Sequence, residues 1–534
     1  MLISKVKIYG YRVYDQFILE PNQSLNLIVG ANEAGKSTLM EAITLALTGR
    51  VNGRYASEEL NPYWFNTTMV NDFVCKLQSG MNPSLPEIRI ELFFDDRAEL
   101  QQLCGAINTD VPTTACPGVA IRVYPNPDYS SEIDEWKKSP SNLLPVEYYA
   151  LDWRSFADEK ITRRPKLLST AVIDSRTIRS LSGVDYHLRQ ILGDHLEPAE
   201  RAEISLAFRQ MKASMSETSL SGINDRLGGL HAALHDRPMA LAMDQSARTS
   251  WESSVIPHVD NVPFSMSGQG QQAAIKISLA MSRHSGVTNF VMVEEPENHL
   301  THTSLTTLIS RIRSLASDEQ QLFVTTHSSF VLNRLGLDAL LLVENSLQSR
   351  IPDLDPETVS YFQKLPGYDT LRMILAKKVV LVEGPSDEII FERIFSDLHG
   401  KQPMECGIDV LSMRGLSLRR CLELCASLDK KVAALRDNDG ASPAELRQGV
   451  KVWLKESRRE IFIGEVDHGE TLEPQLIHQN GEASLRKILG IRADADLATW
   501  MKREKTEGAI RIASTAQVVQ PPDYMVHAAR FIYD

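Results

Sequence analysis

Short unbroken apolar runs alternate with longer stretches of helical period along most of the chain. In the first 345 residues the clearest runs are SLNLIVG at 24–30, TNFVMVE at 288–294 and QLFVT at 321–325. Each is too short for a helix and lacks the alternation of a strand with one wet face. Each therefore predicts a strand buried on both sides, as in a parallel sheet covered by helices. The pattern restarts with KKVVLV at 377–382, GIDVLS at 407–412 and KKVAALR at 430–436. Two α/β blocks are expected. Between them, IPDLDPETVSYFQKLPGYDT carries three prolines and no strand-length run, which reads as a linker with a short helix. Residues 155–250, rich in Leu, Ala, Arg and Glu, read as a helical insertion that adds no strand to the sheet. The expected plan is one α/β domain split into 1–154 and 251–350, the insertion at 155–250, a linker at 351–375 and a second α/β domain at 376–534. No internal repeat or low-complexity segment interrupts it.

Composition narrows the class. The chain has 534 residues, 43% hydrophobic and 24% charged, which suits a globular protein with more than one core. No run of about eighteen apolar residues marks a membrane span, and the opening MLISKVKIYGYRVYDQF has neither the apolar core nor the cleavage site of a signal peptide. A cytoplasmic protein with no membrane partner is expected. With 57 Lys and Arg against 69 Asp and Glu the net charge is −12, so attraction to a polyanion is not a property of the whole surface. Any contact with nucleic acid must be local, through a basic groove or through metal ions. The six cysteines have no zinc-ligand spacing and fit a reducing compartment, with Cys421 and Cys425 read as packed thiols.

The first strand runs straight into Gly30-Ala31-Asn32-Glu33-Ala34-Gly35-Lys36-Ser37-Thr38 and then a helical run, a complete phosphate loop in its required context. Its glycines let backbone N–H groups converge on phosphates, Lys36 reaches the outer phosphate oxygens and Ser37 ligates magnesium. Asn32, Gly35, Lys36, Ser37 and Thr38 are thus candidate ATP ligands. The run ending in Glu294 and Glu295 supplies two carboxylates, one to support the metal and one to polarise the attacking water. His327 follows the next strand, where a side chain at the carboxyl edge can face the γ-phosphate. FSMSGQGQQ at 264–272 is a second anion cradle, with Ser267 and Gly268 at its centre. Two cradles for one nucleotide make sense if the cradle of one chain closes over the ATP of another.

Phosphate loop, SGQGQ signature, Glu294-Glu295-Pro296-Glu297-Asn298-His299-Leu300 and His327, in that order, resemble an ABC-type ATPase of the group containing Rad50, RecF and the OLD (overcoming lysogenisation defect) proteins. The resemblance implies that IYGYRVYDQFIL forms a hairpin beside the adenine, that Glu294 supports the metal, that Glu295 is the catalytic acid that activates water, that Ser267 and Gly268 act in trans, and that His327 senses the γ-phosphate. The signature departs from the LSGGQ of transporters, and Glu294 stands where Asp is usual; slow hydrolysis is expected.

In the second block, Glu383 ends a strand, Asp387 lies one turn further on, and Asp437 and Asp439 sit in RDNDG after another strand. Parallel strands bring their carboxyl ends to one edge, so Glu383, Asp437 and Asp439 should converge, the D-x-D pair pointing the same way. Acids held together repel unless a cation sits among them, and two Mg2+ or Mn2+ ions would serve a phosphodiester cleavage. The competing reading of DND-G as an ordinary turn is set against the upstream E-G-x-x-D element. VEGPSDE, the glycine turn at Gly415 and RDNDG together look like a TOPRIM domain, Rossmann-like in fold. A TOPRIM domain behind such an ATPase is the layout of OLD proteins, and the resemblance covers nearly the full length. It implies a further metal ligand, Glu473 in Thr471-Leu472-Glu473, and a catalytic lysine near the C-terminus, assigned to Lys505 over its neighbours Lys502 and Arg503. The implied metal set is Glu383, Asp387, Asp437, Asp439 and Glu473, with Ser37 at the nucleotide. Arg414, Arg419, Arg420, Lys430, Arg436, Arg458 and Arg459 are candidates for tracking a DNA backbone.

The reading that follows is an ATP-binding, metal-dependent DNA endonuclease resembling OLD-family effectors of anti-phage defence, including the Gabija nuclease and retron-associated OLD proteins. The helical insertion would serve a homodimer or homotetramer, and a helicase or a retron reverse transcriptase with its DNA would be a partner. A DNA-binding structural or repair ATPase of the Rad50 and RecF type, with a non-catalytic second block, is the alternative. A topoisomerase or primase is disfavoured, since no strand-passage tyrosine context and no zinc module are present.

Overall fold

The structure, a computed structural model, describes the chain except residues 52–53, 141–142, 175–195, 229–239, 247–250, 252–257, 269–270, 273–274, 276–288, 299, 316–319, 345–346, 351–353, 365–369 and 493–494. Its contacts divide it into two units, Met1–Thr326 with Val343–Gln348, and His327–Leu342 with Ser349–Asp534.

Besides two short two-stranded ribbons, the first unit holds strands of two large sheets. One is antiparallel: Tyr14–Leu19 pairs with Ile3–Tyr11, which pairs with Ile88–Phe94, then Cys116–Pro125 and Tyr149–Ser155. The hairpin expected from IYGYRVYDQFIL is its edge. In the other, four of six strands run parallel in the order Thr170–Asp174, Phe290–Glu294, Gln321–Thr325, Leu25–Val29. All five residues of the Phe290 and Gln321 strands are buried, as their unbroken apolar runs require. The helix Lys36–Thr48 touches strands of both sheets, burying Leu39, Met40, Ile43 and Leu47. It is stopped by Gly49 in the left-handed region (φ 65°), whose N–H donates to the Leu45 carbonyl at 2.8 Å. A Cβ at Gly49 would lie 2.6 Å from the ring of Trp153, so no other residue fits that stop.

An insertion that adds no strand to the sheet is not what the structure shows. The segment 155–250 does give a strand to the sheet: Thr170–Asp174 pairs with Phe290–Glu294 in parallel, Asp174 in register with Glu294. TAVID carries only three strongly apolar residues, and its pairing partner lies more than a hundred residues away, so local pattern does not separate it from its helical surroundings. Beyond it, Pro198–Glu217 and Ser221–Gly228 are helices, as the pattern predicts; the rest of that segment lies largely outside the described residues.

The second unit is a four-stranded, wholly parallel sheet in the order Ile408–Ser412, Lys378–Val382, Lys431–Arg436, Arg459–Ile463. The chain leaves the central Lys378 strand towards one side and returns on the other, which opens a crevice at the carboxyl ends of the Lys378 and Lys431 strands. The helices Pro385–His399, Lys505–Ser514 and Asp523–Tyr533 pack together on this sheet over a core of Val380, Ile390, Phe391, Leu435, Met525 and Ile532. The stretch read as a linker is fastened to this unit. From the helix Leu418–Ser427, Arg420 reaches Asp355 and Glu357 (3.2 and 2.7 Å) and Glu423 accepts from Thr358 Oγ1 (2.6 Å), which holds the helix Pro356–Lys364 and its approach. Tyr361 Oη accepts from the Ser417 N–H at 2.7 Å. Cys421 and Cys425 are fully buried free thiols, and burial pushes Cys425 up to about 12, as inert packed thiols require.

Candidate functional site

In the first unit the phosphate loop joins the buried strand Leu25–Val29 to the helix Lys36–Thr48. Gly35 turns into the helix at φ 99°, and a Cβ there would lie 2.6 Å from Tyr14 Oη, which donates to the Gly35 carbonyl at 3.0 Å. The buried Lys36 ammonium donates to the carbonyls of Gly30 and Ala31, both at 2.9 Å, so it is held inside the loop it is expected to serve. Ser37 Oγ donates to Glu294 Oε2 at 3.1 Å. That contact brings together the hydroxyl and carboxylate read separately from the sequence as metal ligands, 257 residues apart. Glu295 follows with φ 46°; its N–H donates to the Thr325 carbonyl at 3.0 Å, and its carboxylate accepts from Asn298 Nδ2 at 2.6 Å. Asn32 is exposed at the loop crest and Thr38 is half-buried in the first helical turn.

The second cradle is described in part. Ser267 and Gly268 follow a short turn, Gln272 Nε2 donates to the Ser267 carbonyl at 2.8 Å, and a Cβ at Gly268 would meet nothing within 4 Å. Gln269 and Gly270 lie outside the described residues. His327 is exposed after the strand Gln321–Thr325 and belongs by its contacts to the other unit.

In the second unit the acids gather at the crevice. Glu383 follows the central strand, and its Oε1 accepts the Asp437 N–H at 3.2 Å, joining the ends of neighbouring strands. Asp387 lies in the first turn of Pro385–His399, where its Oδ2 accepts the Gly384 N–H at 3.0 Å. Glu473, 5% exposed, accepts from Thr471 Oγ1 at 2.7 Å and faces the Lys505 ammonium at 3.4 Å. Lys505 is half exposed, whereas Arg503 pairs with Glu504 and Lys502 is exposed. Burial pushes Asp387 up to about 6, with Glu383 and Glu473 adding to the rise. Burial pushes Asp437 up to about 8, reinforced by Asp387, Glu383 and Glu473 and opposed by Lys505. Glu383 is also raised, by burial first and by Asp439, while the hydrogen bond from Asp437 and the charges of Arg436 and Lys505 act against it. These acids therefore feel one another, yet among the described residues no three His, Cys, Asp or Glu side chains stand close enough to hold an ion as a ready-made cage.

The D-x-D pair is not symmetric. The strand ends at Arg436, Asp437 is half-buried, and Asp439 is exposed on a turn at φ 49°, its N–H donating to the Glu470 carbonyl at 3.2 Å. The alternation of faces that a continued strand would impose does not reach Asp439. Between them Asn438 is 1% exposed, and its amide donates to the carbonyls of Gly464 (3.0 Å) and Gly469 (2.8 Å) while accepting from the Gly440 N–H (2.9 Å). Gln475 braces the same loop, donating to the carbonyls of Glu465 (2.6 Å) and Gly469 (2.7 Å). Sequence reading gave neither a role; two buried amides carry no spacing signal. Tyr524, buried on the C-terminal helix, also lies within the field of Asp387, Asp437, Glu383 and Glu473, which with burial raises it far above its ordinary value. It was equally invisible, since its partners come from other elements.

The basic candidates sort by pairing. Arg420 is held by Asp355 and Glu357, Arg458 and Arg459 by Asp429 (3.0 and 2.8 Å), and Lys430 is buried. Arg414 is exposed at φ 47°. Arg419 and Arg436 make no hydrogen bond or salt bridge among the described residues; both line a cavity of 510 Å³ whose wall includes Glu383.

Comparison with known proteins agrees with both units. Residues 374–439 match the family described as "Overcoming lysogenization defect protein-like, TOPRIM domain", residues 5–116 an "AAA domain" and residues 188–332 an "AAA ATPase domain". The chain is 24% identical over 283 residues to an OLD nuclease of Thermus scotoductus, covering 48% of this chain and 50% of the relative. It is 22% identical over 203 residues to the endonuclease GajA of Bacillus cereus, covering 36% and 35%. The chain thus spans half the length, or less, of the curated relatives it matches. Among solved structures, the Smc head bound to the winged-helix domain of ScpA aligns with 65% of this chain and 97% of its own (14% identity, TM-score 0.34). The C-terminal region of the Xanthomonas campestris OLD protein aligns with 30% and 93% (20% identity, TM-score 0.23). No helix among the described residues is long and apolar enough to cross a membrane.

Proposed function

From an AAA-type ATPase domain joined to an OLD-like TOPRIM domain, we propose that the chain is an ATP-binding, divalent-metal-dependent DNA endonuclease. The observation that supports this most is the convergence of Glu383, Asp387, Asp437 and Glu473 on one sheet edge, with Lys505 against Glu473. Their hard oxygen donors suit Mg2+ or Mn2+, and the raised carboxyls describe a site that gains from a cation. Glu383, Asp387, Asp437 and Glu473 would hold such ions, with Asp439 at the open side. Bound there, two ions would supply the Lewis acidity that activates a water and stabilises the leaving oxygen. The protein's own part is to orient. Glu383 and Asp437 are tied by a backbone hydrogen bond, Glu473 is fixed by Thr471, and Lys505 offers its ammonium to the scissile phosphate, where negative charge grows as the P–O bond to the leaving oxygen breaks.

The names of the relatives, a nuclease and an endonuclease, support the same reaction class. On this reading ATP and Mg2+ bind at Asn32, Gly35, Lys36, Ser37, Thr38 and Glu294, Glu295 activates the hydrolytic water, and Ser267 and Gly268 complete the ATP site of a second copy. The assembly would be a homodimer or homotetramer in the cytoplasm, built through the helical segment and acting in anti-phage defence with a helicase or a retron reverse transcriptase.

The test is nicking of supercoiled plasmid with Mg2+ or Mn2+. Glu383→Ala and Asp437→Ala should each lower cutting by about a thousandfold or more while ATP binding persists. Undiminished cutting by both variants contradicts the assignment. The competing reading is a DNA-binding ATPase of the Rad50 and RecF type with a non-catalytic second unit. That protein would bind plasmid without cutting it under any metal.

A further inference from the structure

Beside the acid cluster, the 510 Å³ cavity runs from Glu383 to the helix Pro443–Val450. Its size lies in the range that encloses small organic ligands. The wall is of mixed character. Met413, Leu446 and Val450 give apolar surface, while Arg419 and Arg436 give two guanidiniums. Arginines nearby in the same unit are neutralised: Arg420 by Asp355 and Glu357, Arg458 and Arg459 by Asp429. Arg419 instead sits over the ring of Trp453 at 5.0 Å, which fixes the plane of its guanidinium and leaves its charge intact. Arg419 and Arg436 make no salt bridge among the described residues, although the charge of Arg436 acts on Glu383 in the same wall; two such guanidiniums suit a phosphate, and the apolar side chains of the same wall suit the face of a base. Glu445 at the same wall offers an acceptor to a base amino group.

We propose that this cavity is a subsite for one unpaired nucleotide of the DNA strand next to the scissile bond, its phosphate on Arg419 and Arg436 and its base against Met413, Leu446 and Val450. The inference rests on the nuclease reading of the adjoining acids. A base stacked inside a duplex has no free face to lay on that wall, so the subsite selects single-stranded, frayed or extruded nucleotides. Cutting then falls where a strand is locally unpaired.

Gly449 makes the proposal testable, because it lines the cavity and a Cβ there meets nothing within 4 Å. Gly449→Phe fills the space, Gly449→Ala leaves it open, and Arg419→Ala removes a charge. The full-length chain is titrated, with Ca2+ present, against fluorescein-labelled oligothymidylate and a blunt duplex of equal length. Wild type is expected to bind the single strand more tightly than the duplex. Gly449→Phe and Arg419→Ala are each expected to weaken single-strand binding by about tenfold and to flatten the preference, while Gly449→Ala retains both. Wild type that fails to bind the single strand, or variants that bind as wild type does, overturn the subsite, and so does a Gly449→Ala loss equal to that of Gly449→Phe. Parallel incubation with Mg2+ or Mn2+ separates the two readings. Preferential binding without any cutting removes the nuclease and leaves the subsite; cutting with unaffected variants does the reverse.

Discussion

At the crevice, Asp437 is pushed up further than Asp387. With its pKa pushed up to about 8, it keeps at neutral pH a proton that the same residue in the unfolded chain, with an ordinary carboxyl near about 4, gives up. Its contribution to stability is therefore intact below about pH 4 and is lost progressively as pH rises to about 8. Asp437→Asn removes that loss. In chelator, thermal unfolding of Asp437→Asn should occur several degrees above wild type at pH 8, with the gain vanishing near pH 4. Equal melting temperatures at pH 8 would mean that Asp437 is solvated like an ordinary carboxylate. Glu383, Asp437 and Lys505 were legible from strand-end position and resemblance. Their perturbation was not, because it comes from Asp387 and Glu473 on other elements and from burial that no local pattern states.

The elements that matter most are two loops rather than two strands. The turn 437–440 and the loop 464–471 are tied by Asn438 and backed by Gln475, and a Cβ at Gly464 would fall 2.7 Å from Gln475 Nε2. Asn438→Asp keeps the volume and removes both donated hydrogen bonds. It should cost about 2 kcal/mol of stability in chelator, by denaturant titration. An unchanged midpoint would show that the loops hold without it. The parallel strands were legible at this scale because buried runs such as FVMV and KVVLV have no other reading. Thr170–Asp174 escaped: it is a short strand that, among the described residues, pairs in the sheet with Phe290–Glu294 alone. The same limit applied to Asp439, where the chain leaves strand geometry after Arg436 and the period-two rule stops.

For the whole molecule, the sequence laid out the order of an ATPase followed by a TOPRIM domain, since each announces itself by a loop after a buried strand. Oligomeric state leaves no such mark in one chain. If the two cradles of one ATP site come from two copies, as proposed, assembly has a consequence. Lys36→Ala and Ser267→Arg chains should each hydrolyse ATP at about a tenth of the wild-type rate or less, and mixing them should restore turnover, because a mixed dimer keeps one intact site. Mixed dimers without recovery would place both cradles on separate tasks.

The claim on which the nuclease rests is that the acids at the edge of the second sheet hold divalent cations. Calorimetric titration of Mn2+ into the nucleotide-free protein tests it, run at pH 7 in two buffers of different ionisation enthalpy. The account predicts binding that releases about one proton, because Asp437 must give up the one it keeps at that pH, and loss of that release in Asp437→Asn. Absence of Mn2+ binding, or binding with the same proton count in both proteins, would contradict it.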